Sequence, residues 1–293
     1  MNKKRLTTSV IYVAVLLLLL TFKWWVDKWG ALGFDALFCA ISVIGCLEFF
    51  RAVKVVPFAQ KTVSVFYCAA IVPMFALCEY AGMGGYLPSL LLTVIAAMAV
   101  VIFALAKYDG SNWNSTLLSL AAIGYCGVLS ALFSGVNHLS VNSTPAVLLM
   151  FLIVMFTDSF AYFTGGLLKR WLPYKLAPKI SPNKTVVGGV GGIVGGMAAG
   201  VAAYYLWYGM SMAAGEPLVY SGSFPAVVAF LLMGFVGAIV GQIGDLVESY
   251  LKRRCDIKDT GRILPGHGGV LDRFDSMFFV APLILVGFLL LTI

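Results

Sequence analysis

Charge is what the sequence most lacks, since only 11% of its 293 residues are Asp, Glu, Lys or Arg. A soluble domain carries about 25% charged residues, whereas 61% of this chain is hydrophobic. A water-soluble globule could not bury that much apolar surface. The composition therefore predicts a single membrane-embedded body rather than one or two soluble domains.

Cysteine motifs and histidines are also scarce. The six cysteines form no C-x-x-C pair, and five of them lie within or beside apolar segments. This pattern excludes a zinc or disulfide framework and indicates core packing. Of the two histidines, His138 stands alone in a polar loop, where we expect a plain surface residue. No internal repeat is evident, which weakens the case for a transporter built from paired halves.

Long apolar runs are what the sequence has instead. A membrane-spanning helix needs about 20 apolar residues, and only helices or closed barrels can span lipid. Nine runs qualify, so the predicted fold class is an all-α polytopic membrane protein. The first run is expected to be a retained helix, because no small-residue cleavage site follows it. The approximate ranges are 7–25, 31–50, 62–82, 88–106, 114–134, 145–168, 186–208, 224–250 and 274–293.

The basic residues predict the orientation of these helices. With nine crossings, 18 of the 20 lysines and arginines fall on one side, which the positive-inside rule makes cytoplasmic. The N-terminus is then cytoplasmic and the C-terminus outside, in the periplasm of a bacterial inner membrane. Topology thus explains the net charge of +7, and no nucleic-acid partner is expected. We divide the chain into N-terminal helices at 1–140 and a catalytic region at 141–293, with cytoplasmic loops at 169–185 and 251–273.

The seventh run is rich in glycine. Small residues at every fourth position let helix backbones approach closely, so helix packing is favoured over a phosphate-binding loop. The rows fit either an internal helix contact or the interface of a homodimer. One row is Gly188, Gly192, Gly196 and Gly200, and an adjacent row holds Gly191 and Gly195.

Two polar stretches on the predicted cytoplasmic side hold candidate site residues. One surrounds Asp158, an ionisable group inside an apolar helix, where a charge is costly and usually functional. The other lies just before the seventh helix, whose N-terminus offers unpaired amides to an anion. A cap plus a topology-setting lysine would explain this second stretch equally well. Its candidate residues are Ser181, Asn183, Lys184 and Thr185.

A third polar stretch, from Asp245 to Asp275, gives the strongest signal. Asp245 and Glu248 are three residues apart, as are Asp272 and Asp275, so each pair shares a helix face. Mg²⁺ is typically held by one or two carboxylates plus substrate phosphates, and basic side chains neutralise the remaining phosphate charge. Salt bridges on a solvated loop would not explain carboxylates at membrane-helix ends. Around them lie Ser249, Lys252, Arg253, Lys258, Asp259, His267, Gly268, Gly269 and Arg273.

This third stretch resembles the signature of the phosphatidate cytidylyltransferase (CDP-diacylglycerol synthase) family. The family pattern is S-x-apolar-K-R-x4-K-D-x-small-x2-apolar-P-x-H-G-G-apolar-x-D-R-apolar-D, and the chain fits it from Ser249 to Asp275. The stretches around Asp158 and Lys184 are similar to further family motifs, in the family's order. The sequence departs from the family at Val186 and Val187, near which many members carry a glutamate.

The resemblance implies that CTP and phosphatidate react to give CDP-diacylglycerol and pyrophosphate at a site facing the cytoplasm. It implies Mg²⁺ held by Asp245, Asp272 and Asp275, with a monovalent cation such as K⁺ near the same carboxylates. Lys184 and His267 join these as expected catalytic residues. The expected substrate-binding residues are Asp158, Ser181, Asn183, Lys184, Thr185, Glu248, Ser249, Lys252, Arg253, Lys258, Asp259, His267, Gly268, Gly269 and Arg273.

Two alternatives stay open. The first is a cytidylyltransferase for another lipid phosphate, since the sequence carries no legible mark of the acyl chains. The second is a membrane transporter, although a transporter would place charges along a midplane path and here they gather at one face. Asp35 and Glu48 of the second run are either packing partners or the lining of a lipid entry groove.

Overall fold

The computed structural model describes residues 3–26, 29–106, 113–168, 170–214, 219–261, 263 and 268–292. Within these ranges the chain forms nine helices and one short β-hairpin. The helices are α1 (Lys3–Trp25), α2 (Leu32–Val53), α3 (Phe58–Tyr80), α4 (Tyr86–Ala106), α5 (Trp113–Asn137), α6 (Ser143–Leu168), α7 (Val186–Ala214), α8 (Ala226–Arg254) and α9 (Leu271–Thr292). The strands are β1 (Lys175–Ala177) and β2 (Ser181–Thr185).

Among the described residues, eight helices, α2 to α9, are long and apolar enough to cross a membrane. Helix α1 is also apolar, over Val13–Trp25. The all-helical prediction is confirmed at this level, because each predicted run corresponds to one helix and the chain is an integral membrane protein. The orientation of the termini and the ninth crossing stay predictions.

The β-hairpin was not expected from the sequence. β1 and β2 pair antiparallel, with Lys175 opposite Thr185 and Ala177 opposite Ser181. Pro182 favours this extended geometry, because a proline pushes the preceding residue away from helical backbone angles. The segment just before α7 is therefore a strand that ends where the helix begins.

The chain divides into two compact units, of which the first comprises Met1–His138 and Arg254–Phe274. Its core includes Phe34, Phe38 and Phe133, all fully buried. The rings of Phe34 and Phe38 lie 5.8 Å apart, and those of Phe38 and Phe133 lie 5.0 Å apart. These aromatic contacts bury large apolar areas between α2 and α5.

A buried polar cluster also joins helices of the first unit. Asp35, only 5% exposed, accepts hydrogen bonds of 3.0 Å from Ser134 Oγ and Asn137 Nδ2. Its other carboxylate oxygen lies 2.9 Å from His138 Nε2. Lys23 Nζ donates to the Asn137 carbonyl at 2.8 Å. The expectation that His138 is a plain surface residue is therefore wrong, because a buried carboxylate needs polar partners and His138 supplies one.

The second unit comprises Leu139–Arg253 and Asp275–Ile293, and its glycines set how its helices pack. Three glycines of α7 face α6, where an added Cβ would come within 2.6–3.1 Å of backbone carbonyl oxygens; they are Gly188, Gly192 and Gly195. Gly196 and Gly200 instead face the backbone of α8. The predicted small-residue packing is confirmed, and both rows are used within the chain.

Candidate functional site

The start of α7 is capped by the last residue of β2. Thr185 Oγ1 accepts a hydrogen bond of 3.1 Å from the Gly188 amide, which satisfies one of the free amides of the first helical turn. The predicted helix start after the Lys-Thr pair is therefore confirmed. Along β2, Asn183 is exposed, whereas Ser181 and Lys184 are partly buried.

Removing this cap should destabilise the second unit. We expect Thr185→Ala to lower the free energy of unfolding by about 0.5–2 kcal/mol, the usual cost of losing a side-chain N-cap. Thr185→Ser keeps the hydroxyl and should retain most of the stability. Thermal unfolding in detergent measures both variants, and equal unfolding temperatures for alanine and serine would show that the cap contributes nothing.

Asp245, in the last third of α8, has two polar partners in the second unit. Its Oδ2 forms an ion pair with Lys184 of β2, and its Oδ1 accepts a hydrogen bond of 3.3 Å from Ser249 Oγ. The side chains of Lys184 and Asp245 are 26% and 29% exposed, so solvent and ligands can still reach the pair. Two stretches that are far apart in the sequence thus meet at one ion pair.

Asp275 is a buried carboxylate of the same unit, with 7% exposure. Its Oδ1 accepts a hydrogen bond of 2.6 Å from the Ser276 amide. Gly244 allows α8 to approach the backbone of α9 closely, because an added Cβ at Gly244 would lie 2.7 Å from the Asp275 carbonyl oxygen. The charges of Asp245 and Asp158 both act on Asp275. Because Asp245 follows Gly244 in α8, Asp245 and Asp275 lie in one region of the second unit.

Two basic residues at the end of α8 are held by their own contacts. Lys252 pairs with Glu248, which is 1% exposed and lies one helical turn earlier. Arg253 Nε donates a hydrogen bond of 3.2 Å to the Ile180 carbonyl, which fastens α8 to the hairpin. The charge of Lys252 also acts on Asp275. Acidic and basic side chains thus lie together in the second unit. Basic side chains suit phosphate groups and carboxylates suit a metal ion.

Most of the remaining predicted residues belong to the first unit. There Asp272 accepts hydrogen bonds from backbone amides of the segment after α8. Its Oδ2 accepts hydrogen bonds from the Thr260 amide at 3.0 Å and the Gly269 amide at 2.8 Å. Gly268 has a φ of +85°, a conformation that glycine adopts without steric cost. An added Cβ at Gly268 would also crowd the Asp272 carboxylate.

Several predicted site residues are exposed or lie outside the described part of the chain. Lys258, Asp259 and Arg273 are exposed side chains of the first unit, and Asp158 is exposed in the second. The prediction for His267 lies outside the described residues. The structure therefore brings together Lys184, Asp245 and Ser249 directly, and it leaves the parts played by these other side chains as predictions.

The carboxylates of the second unit fit a magnesium ion by their chemistry. In the described part of the chain, no three His, Cys, Asp or Glu side chains form a complete protein-only metal site. Mg²⁺ seldom needs one, because it keeps waters and substrate phosphates among its ligands. Asp245 and Asp275 offer hard oxygen donors, and their negative charges would repel each other without a cation.

Thiol chemistry does not fit the same region. Burial, and then the charge of neighbouring Asp256, raise the pKa of the Cys255 thiol above its ordinary value. The thiol therefore stays protonated near neutral pH and is a poor nucleophile. The polar residues favour handling of phosphates by charge over covalent catalysis by cysteine.

Two residues matter more than the sequence indicated. Gln242, one turn before Asp245, donates from Nε2 to the Gly189 carbonyl at 3.2 Å and ties α8 to the first turn of α7. Glu48 is fully buried and accepts a hydrogen bond from the first amide of α9. An acidic residue inside an apolar helix was the available signal for Glu48. Nothing in the sequence signalled the contact of Gln242.

The fold and site define a polytopic membrane enzyme that handles phosphate groups. The pattern of the Cytidylyltransferase family matches residues 3–291. A phosphatidate cytidylyltransferase of Bacillus subtilis (strain 168) is 40% identical over 165 residues, which cover 56% of this chain and 55% of that protein. That of Staphylococcus saprophyticus is 35% identical over 209 residues (69% and 70%), and that of Staphylococcus aureus (strain COL) is 32% identical over 204 residues (69% and 70%). The chain belongs to the cytidylyltransferase family.

Proposed function

We propose that this protein is a phosphatidate cytidylyltransferase, which transfers the cytidylyl group of CTP to phosphatidate and releases pyrophosphate. Membership of the family supports the nucleotide, and the shared name of the relatives supports the lipid. The observation that carries the proposal is the Lys184–Asp245 ion pair beside buried Asp275. This arrangement supports a site in the second unit where a lysine would bind phosphate and two carboxylates would hold a metal ion.

The reaction needs little from the protein except position and charge. An oxygen of the lipid phosphate bonds to the α-phosphorus of CTP, and the bond from that phosphorus to the α,β-bridging oxygen breaks. The bridging oxygen leaves with the electron pair as part of pyrophosphate. The attacking phosphate is already anionic near neutral pH, because the second pKa of a phosphate monoester is about 6. A strong general base is therefore unnecessary, and positioning and charge neutralisation supply the catalysis.

Each charged residue has a role in this proposal. Asp245, Asp272 and Asp275 would hold Mg²⁺, which when bound would neutralise charge on the triphosphate, and the same carboxylates would also attract a monovalent cation such as K⁺. His267 contacts substrate or orients a ligand. The phosphates are bound by Lys184, Lys252, Arg253 and Arg273. The other substrate contacts are Asp158, Ser181, Asn183, Thr185, Glu248, Ser249, Lys258, Asp259, Gly268 and Gly269.

The location of the site suits both substrates. By the positive-inside rule, the loops that carry the site face the cytoplasm of a bacterial inner membrane, where CTP is dissolved. Phosphatidate keeps its charged head at the interface and its chains in lipid, so the ends of membrane helices are where the two substrates meet. The predicted homodimer would need a surface other than the glycine rows of α7, because those pack against α6 and α8 of the same chain.

A direct assay tests the proposal. Purified protein in detergent receives CTP, phosphatidate and Mg²⁺, and we expect CDP-diacylglycerol and pyrophosphate in equal amounts. Chelating Mg²⁺ should abolish the product, because the triphosphate charge is then left without its cation. Replacing phosphatidate with an isoprenoid phosphate separates this activity from that of a cytidylyltransferase for another lipid.

Three results would contradict the proposal. The first is no CDP-diacylglycerol from phosphatidate by folded protein, and the second is product from the isoprenoid phosphate alone. The third is full activity in Asp272→Asn, which would remove that carboxylate from the proposed metal ligands. Transport of a solute by the protein in vesicles, with no nucleotidyl transfer, would favour the transporter alternative.

A further inference from the structure

Glu48 is a buried acidic residue to which the proposed reaction gives no role. It lies near the end of α2, and its side chain is 0% exposed. A buried carboxylate in an apolar helix is costly, and a well-packed apolar side chain of similar volume would often serve stability better. The presence of an acidic side chain here therefore indicates that a hydrogen-bond acceptor is needed at this position.

The carboxylate of Glu48 contacts the segment after α8 at Thr260 and the first residue of α9. Its Oε2 accepts a hydrogen bond of 3.0 Å from the Leu271 amide, the first of α9, and one of 3.5 Å from Thr260 Oγ1. An acceptor with negative character at a helix N-terminus is favourable, because free amides and the helix dipole meet there. Glu48 thus caps α9 from another helix.

The neighbouring glycines are fitted to this carboxylate. An added Cβ at Gly261 or Gly269 would run into the Glu48 side chain. Glu48 Oε1 is buried and accepts no hydrogen bond within the described part of the chain. The carboxylate is therefore packed against Gly261 and Gly269. The backbone after α8 therefore passes as close to Glu48 as glycine allows.

Thr260 links Glu48 to Asp272. The Thr260 hydroxyl donates to Glu48, while its backbone amide donates to Asp272 Oδ2 at 3.0 Å. Asp272 Oδ2 also accepts the Gly269 amide at 2.8 Å. Between them, the two carboxylates thus accept hydrogen bonds from Thr260, Gly269 and Leu271.

We infer that Glu48 is a positioning residue for the proposed reaction. It fixes the Asp272 carboxylate through Thr260 and through the first turn of α9. This inference rests on the proposed function. Glu48 itself contacts no substrate; it holds the Asp272 carboxylate in a fixed orientation, from which Asp272 would help to hold Mg²⁺. Outer groups that orient a metal ligand in this way typically change metal affinity or activity by about 10–100-fold when they are removed.

The test compares Glu48→Ala with Asp35→Ala, a second buried carboxylate on the same helix and in the same unit. Hydrogen exchange of peptides covering residues 258–274 is measured without Mg²⁺ or CTP, and the Mg²⁺ concentration for half-maximal rate is measured separately. We expect Glu48→Ala to speed exchange of the Thr260, Gly269 and Leu271 amides by about tenfold or more. It should also raise the half-maximal Mg²⁺ concentration by about tenfold or more.

The control should behave differently. Asp35→Ala removes the partner of His138 and Asn137 and should lower the unfolding temperature, yet leave exchange in 258–274 and the Mg²⁺ dependence of folded protein unchanged. Glu48→Gln keeps an oxygen acceptor for the Leu271 amide, so it should restore much of the protection. If Glu48→Ala does not fold, Glu48→Asp, which is one methylene shorter, should shift both quantities in the same direction by less.

The inference is overturned if a folded Glu48 variant keeps wild-type exchange and Mg²⁺ dependence, or if Asp35→Ala changes both equally. Failure of the proposed function looks different. In that case wild-type protein makes no CDP-diacylglycerol at any Mg²⁺ concentration. The exchange measurement still reports whether Glu48 protects the amides of residues 258–274.

Discussion

Asp245→Asn is expected to reduce the turnover of CTP and phosphatidate by about 10²–10³-fold, the range found when one preorganised electrostatic contact is removed from an active site. Asparagine has the same shape and can still accept the hydrogen bond from Ser249. What it loses is the negative charge that pairs with Lys184 and that would help to hold Mg²⁺. The substitution therefore separates charge from packing at the centre of the site.

The measurement is the rate of CDP-diacylglycerol formation by purified protein, with unfolding temperature recorded alongside. Asp256→Asn is the matched control, because Asp256 is exposed and lies outside the proposed set of ligands. Its φ of +54° is in the left-handed region that asparagine tolerates well. We expect wild-type turnover from this control. Comparable loss in both variants, or near wild-type turnover in Asp245→Asn, would remove Asp245 from the mechanism.

The helices could be predicted from the sequence because their cause is local. Lipid imposes a minimum length of apolar chain, so the runs alone defined most helix ends to within four residues, although α7 continues six residues beyond its predicted end, to Ala214. The predicted run 145–168 became Ser143–Leu168, and 88–106 became Tyr86–Ala106. The glycine spacing on α7 was equally informative, since close helix packing has few other solutions than small residues at every fourth position.

The contacts of the site could not be predicted, because they join residues that are remote in sequence. Glu48 Oε2 meets an amide 223 residues later, and His138 meets a carboxylate 103 residues earlier. In the sequence His138 stands alone in a polar loop, which is why a surface position was expected for it. The motifs identified Lys184 and Asp245 separately, whereas only the fold pairs them.

The hairpin before α7 illustrates a different limit. A three-residue and a five-residue strand are too short for alternation of apolar and polar residues to identify them. The hairpin nevertheless contributes directly to the site. Its Lys184 pairs with Asp245, and its Ile180 carbonyl accepts a hydrogen bond from Arg253.

Gly200→Leu is expected to prevent stable folding, with a loss of at least about 3 kcal/mol in the free energy of unfolding. An added Cβ at Gly200 would meet the backbone of Phe230 and Leu231, and backbone cannot rotate away as a side chain can. Gly209→Leu is the control on the same helix, because no atom lies within 4 Å of an added Cβ there. Since leucine favours helix more than glycine does, the control should unfold at or slightly above the wild-type temperature. Thermal unfolding in detergent gives both values, and equal shifts for the two variants would mean that α7 does not pack against α8 through its glycines.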